Sequence, residues 1–107
     1  MFDKKLFITR GIKENLSEEL QIALWSILFE ANKNKQELDY LQVFEISNAD
    51  TEGAIITKIK WSQEVPPFEK EMYLPLVKCE KEMKVWVISE GEGTEDEYST
   101  MLLPEEY

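Results

Sequence analysis

The sequence predicts an α+β fold: one N-terminal helix, about residues 16–33, packed on a curved, mainly antiparallel sheet of five or six strands. Three observations predict it. A single segment carries apolar residues at helical spacing behind clear start signals. Everything after residue 38 falls into short runs that alternate at strand spacing. Consecutive runs are joined by short polar loops, which reads as antiparallel hairpins.

Phe2 to Arg10 alternates as a first strand, with Leu6 and Ile8 on one face and Phe7 on the other, and Gly11 ends it. The helix starts near Asn15 to Ser17. Asn15 with Glu18 forms one candidate capping box and Ser17 is a competing cap; Glu18 and Glu19 suit the positive end of the helix dipole. Leu20, Ala23, Leu24, Ile27, Leu28 and Ala31 make one apolar stripe, while Ile22, Trp25 and Phe29 make a second on another face. A helix resting on one sheet needs an apolar arc of little more than about 100°. Either the sheet curls around this helix or a partner covers the second stripe, and the first reading is the simpler.

Leu38 to Ser47 is apolar on both faces, as a central strand would be. Asn48 to Gly53 is a turn by composition, and Ala54 to Trp61 returns with Ile55, Thr57, Ile59 and Trp61 inward. Glu69 to Leu76 is a weaker strand that Pro75 confines to an edge. Glu82 to Glu90 and Tyr98 to Leu103 form a second hairpin around an acidic loop, and Pro104 stops it. No repeat, linker or low-complexity stretch divides residues 1–107, which read as a single domain.

The 107 residues carry a formal net charge of −10 and no histidine. That charge repels phosphates, so direct nucleic-acid binding and association with anionic membranes are not expected. Glu90, Glu92, Glu95, Asp96, Glu97, Glu105 and Glu106 follow one another from residue 90 without a lysine or arginine between them. Cys79 is the only cysteine, so no intrachain disulfide forms. The first residues lack an apolar signal-peptide core, and the longest nearly apolar run, Ile22 to Phe29, is too short to cross a bilayer. A cytoplasmic location is expected.

The sequence offers little catalytic inventory. The glycines Gly11, Gly53, Gly91 and Gly93 form no phosphate loop, and the lack of histidine removes the usual triads and histidine-ligated zinc. Glu64 and Asp39 are the two carboxylates worth testing as acid-base groups, although polar residues at strand ends are commonly structural. Cys79, between Lys78 and Glu80, reads as a spectator thiol. The loop Glu90 to Glu97 lacks the spacing of a calcium site and reads as a solvated hairpin tip. No metal and no cofactor are expected.

The segment Lys60 to Phe68, KWSQEVPPF, is the least ordinary. Pro66 and Pro67 fix φ, remove two backbone donors and hold Val65 extended. They carry the chain between hairpins and block edge pairing. The competing reading makes Trp61, Pro66, Pro67 and Phe68 a rigid binding ridge of low entropy.

FITRGI (Phe7 to Ile12), ELQIALW (Glu19 to Trp25), LDYLQVFEI (Leu38 to Ile46), QEVPPF (Gln63 to Phe68) and STMLLPEEY (Ser99 to Tyr107) occur in that order. Together they resemble the domain-of-unknown-function 960 family, small proteins of low-GC Gram-positive bacteria and their phages. The resemblance covers essentially the whole chain. It implies a cytoplasmic single domain with some connection to phage or mobile elements, and brings no assigned activity, cofactor or catalytic residue.

The function expected from all this is a non-catalytic protein-interaction or accessory domain with an unknown protein partner. Ile22, Trp25 and Phe29 are the residues through which a homodimer would form. The alternative is an acidic mimic of nucleic acid that occupies the basic cleft of a DNA-binding protein. A small enzyme is a distant third.

Overall fold

The structure, a computed structural model, describes residues 1–51, 53–75 and 81–107. Its order is β1 (Lys5–Ile8), α1 (Arg10–Asn15), α2 (Glu18–Lys33), β2 (Leu41–Thr51), β3 (Ala54–Gln63), β4 (Phe68–Leu74), β5 (Met83–Glu90) and β6 (Tyr98–Leu102), closed by a 3₁₀ turn at Pro104–Glu106. The six strands form one mixed sheet ordered β1-β6-β5-β2-β3-β4. Every pairing is antiparallel except β1 with β6, which run parallel. The α+β class and the strand number agree with the sequence. The helical part differs from the single helix expected over 16–33.

The difference begins at Phe2. Its φ of 65° and full burial take it out of the first strand, which is confined to Lys5–Ile8. Gly11 does not stop a strand. Instead Thr9 caps a second, short helix, its hydroxyl accepting from Ile12 N at 3.4 Å. Asn15 belongs to that helix, donating from Nδ2 to the Gly11 carbonyl at 2.9 Å, so the capping box with Glu18 does not form. Ser17 caps α2, accepting from Leu20 N at 3.3 Å, with Glu18 and Glu19 in the first turn.

The two hairpins pair as the alternation requires, and the NADTEG turn is tighter than its composition suggests. The ladder runs out to Thr51 opposite Ala54, and Gly53 takes a φ of 82°. That left-handed conformation is what the glycine supplies. β2 sits between β5 and β3, and its Leu41 and Val43, on the face away from α2, stand beside Ile88 and Trp86 of β5. β4 lies at one edge, as Pro75 demanded.

The core is the space between α2 and one face of the sheet. Leu20, Leu24, Leu28 and Ala31 pack there against Phe44, Ile46, Ile59, Trp61, Val85, Val87 and Met101. Thr57, Ile59 and Trp61 point inward as expected, whereas Ile55, near the hairpin tip, is 60% exposed. The second stripe of α2 is only partly covered: Trp25 packs against the core, while Ile22 and Phe29 stay 65% and 41% exposed.

Candidate functional site

The KWSQEVPPF segment is organised around a buried polar chain rather than an exposed ridge. Gln42 on β2 and Gln63 on β3 occupy inward positions of neighbouring strands and are 0% and 6% exposed. The Trp61 indole donates to Gln42 Oε1 at 2.6 Å. Gln42 Nε2 donates to the Asp39 carbonyl and to Gln63 Oε1, both at 2.8 Å. Gln63 Oε1 also accepts from Asp39 N at 3.1 Å, and its Nε2 donates to the carbonyls of Pro66 at 2.8 Å and Glu37 at 3.1 Å. Both amides thus use donor and acceptor ends, which burial demands.

This chain settles where each residue of the segment lies. Trp61 is 3% exposed, stacked with Phe44 at 6.2 Å and edge-on to Phe68 at 4.6 Å. Phe68 is half-buried against the core. Pro66 and Pro67 are exposed and follow Val65, itself 69% exposed, through a cis Val65–Pro66 peptide. The four proposed ridge residues therefore divide, two facing the core and two facing water. Asp39 closes the same turn, accepting from Tyr40 N at 2.8 Å and Val65 N at 3.2 Å. Glu64 is exposed. Cys79 lies outside the described residues.

A second polar cluster joins both ends of the chain. Glu106 accepts from the Thr9 hydroxyl at 2.6 Å, from Leu103 N at 2.8 Å and from Gly11 N at 3.0 Å. The Thr9 hydrogen bond first, then those of the Leu103 and Gly11 amides, hold its carboxyl below the usual glutamate range. A Cβ on Gly11 would stand 2.6 Å from the Glu106 carboxylate, so the glycine admits the close approach. The adjacent Tyr107 folds back edge-on to Trp86 at 5.9 Å on the sheet face that α2 does not cover. FITRGI and MLLPEEY stand at opposite ends of the sequence, and their contact is a product of the fold.

On that helix-free face Ile88 and Leu102 are only 8% and 6% exposed, and Phe7 of β1 stands edge-on to Tyr98 of β6 at 5.9 Å. The hydrogen bond with Glu90, then burial and that carboxylate's charge, raise the Tyr98 phenol above its ordinary range. Toward the β4 side the same face changes to paired charges: Lys60 lies 3.8 Å from Glu45 and 3.5 Å from Glu69, and Lys58 lies 3.4 Å from Glu71. The apolar signal was present in the sequence, since Trp86 and Ile88 alternate against Val85 and Val87 and so fall on the opposite face of the same strand.

The acidic hairpin tip is solvated from Glu90 to Asp96, but Glu97 is not. It is 3% exposed, with the N-terminal amino group at 3.5 Å and Lys4 Nζ at 3.8 Å. Among the described residues no three Cys, Asp or Glu side chains converge as a metal site would need. An open cleft of about 600 Å³ separates Ile8 and Met83 from the α1–α2 junction; at its rim Lys81 donates to Asn15 Oδ1 at 2.9 Å. A smaller cleft of about 450 Å³ lies between Ala23, Ile27 and Ala31 of α2 and Trp61, Met72 and Leu74. No helix of the described residues is long and apolar enough to cross a membrane.

A small α+β domain with one helical layer on a six-stranded mixed sheet is the class these features define. The sequence model of a family described as "Staphylococcal protein of unknown function (DUF960)" matches residues 5–106, and the chain belongs to that family. Among solved structures it is similar to a protein of unknown function from Enterococcus faecalis, at a TM-score of 0.76 and 22% identity over 98% of this chain and 92% of that one. That likeness is one of fold. No curated protein matches.

Proposed function

We propose that this is a non-catalytic interaction domain, an accessory protein whose partner is another cytoplasmic protein. The observation that carries the reading is the second stripe of α2. Ile22 and Phe29, one heptad apart on one helix face, remain 65% and 41% exposed beside the half-buried Trp25. Folding gains nothing from keeping two large apolar side chains in water, and a rigid helical strip suits a partner's groove or helix. Of the earlier ridge, Pro66 and Pro67 remain available for contact, whereas Trp61 and Phe68 serve the core.

Capture of partners from lysate of the source cell, comparing wild type with Ile22→Glu plus Phe29→Glu, tests this directly. The expected outcome is a stoichiometric protein retained by the wild type at high salt and lost by the double variant, with both baits equally folded. Equal capture by both would remove the α2 stripe as the interface. Capture that disappears in high salt for both would favour the acidic mimic of nucleic acid, whose support is the net charge of −10.

A further inference from the structure

We propose that two copies of this chain pair through their β1 edges, antiparallel and centred on Phe7, to extend the sheet across a two-fold axis. The inference deepens the interaction-domain reading by naming a second copy as the occupant of one surface, distinct from the α2 stripe.

The two edges of the sheet are built differently. β4 carries Glu69, Lys70 and Glu71 in succession. Self-pairing centred on any of them sets like charges opposite each other, a standard guard against edge association. β1 carries Leu6, Phe7 and Ile8, which are 37%, 52% and 40% exposed. No acidic residue occurs from Lys4 to Lys13. The open edge is therefore apolar at its three central positions and carries charge only at its ends, on Lys5 and on the flanking Lys4 and Arg10, which pair with Glu97 and Glu14.

Its hydrogen-bonding groups fit the same register. Thr9 N donates to the Met101 carbonyl at 3.1 Å, so Thr9 faces β6 and, by strand alternation, so do Phe7 and Lys5. Leu6 and Ile8 direct their N–H and C=O groups outward, where β1 has no neighbouring strand among the described residues. With Phe7 opposite Phe7 across a two-fold axis normal to the sheet, Leu6 of one copy meets Ile8 of the other as a hydrogen-bonded pair. The two Phe7 rings form the close non-bonded pair, each already edge-on to its own Tyr98.

Charge supplies a further fit. In this register Lys5 faces Thr9 of the second copy on the same side of the sheet, and Thr9 holds the Glu106 carboxylate at 2.6 Å. Lys5 makes no ion pair of its own among the described residues. Two Lys5–Glu106 contacts would thus close the ends of the interface. A four-residue strand pair buries less than the roughly 800 Å² per partner of stable complexes, so the dissociation constant is expected between about 1 μM and 1 mM.

Sedimentation equilibrium on the full chain from micromolar to about 1 mM, with amide hydrogen exchange on the same samples, tests the pairing. The expected result is a monomer–dimer equilibrium in which Leu6 and Ile8 amides gain protection with concentration while Phe7, bonded to β6 throughout, does not. Phe7→Lys and Phe7→Glu should each weaken self-association by about tenfold or more, and an equimolar mixture of the two should restore it. Lys5→Glu, at an exposed position, should weaken it independently. A wild type monomeric at about 1 mM overturns the proposal, as does a dimer indifferent to these substitutions. The α2 stripe is untouched by either outcome, because its variants and its readout are separate.

Discussion

Gln42 and Ser89 are both buried polar side chains on the core side of the sheet, and they should respond to substitution in opposite ways. Gln42 accepts from the Trp61 indole and donates to Gln63. Gln42→Leu leaves the indole N–H without an acceptor, so a loss of about 1–3 kcal/mol is expected in urea unfolding. Ser89 Oγ has no hydrogen-bond partner among the described atoms, and Ser89→Ala should be neutral or slightly stabilising in the same assay. Glu106 adds a pH-dependent case. Its carboxyl is held below its ordinary range, so its contribution to stability is fully present above that range and is lost as pH falls through the folded-state value. Glu106→Gln should therefore be less stable than wild type at neutral pH, and the gap should close on acidification. The glutamine pair was half legible: Gln42 sits at an inward position of a strand the alternation identified, whereas Gln63 lies two residues past Trp61, where the expected strand ended, and a glutamine in isolation reads as surface. The Glu106 cluster was not legible at all, because 95 residues separate its carboxylate from Gly11.

Among the elements, α2 was the most readable because its start signal and its stripe agree. Ser17→Ala removes the side-chain acceptor for Leu20 N and should lower stability by about 1 kcal/mol in denaturant titration, with little change in the spectrum of the folded state. α1 escaped notice since its six residues include Gly11, whose low helix propensity ordinarily argues for a break. Thr9, two residues earlier, was the available clue. The second face of α2 was legible as surplus apolar area, and the structure shows how the surplus is divided. The N-terminal segment brings Met1 and Phe2 into the core cluster that Trp25 also joins, and among the described residues nothing comparable lies over Ile22.

At the level of the whole molecule, the class and both hairpins followed from periodicity, while the assembly of the hairpins did not. Alternation records which face a residue occupies, not which strand lies beside it. The pairing of β2 with β5 and the parallel docking of β1 on β6 are choices among orders that the same pattern permits. Topology nevertheless predicts dynamics: amides of β2 and β5, the two innermost strands, should exchange most slowly, and those of the edge strand β4 much faster. Slow exchange in β4 instead would mean that a further strand or partner covers that edge. The parallel pairing has a consequence for biosynthesis as well. Lys5 leaves the ribosome long before Tyr98, its ladder partner, has been translated. At about 5–20 residues per second, Leu6, Phe7 and Ile8 wait several seconds as an unclaimed apolar strand, which makes the nascent β1 segment the natural point of chaperone attention in this chain.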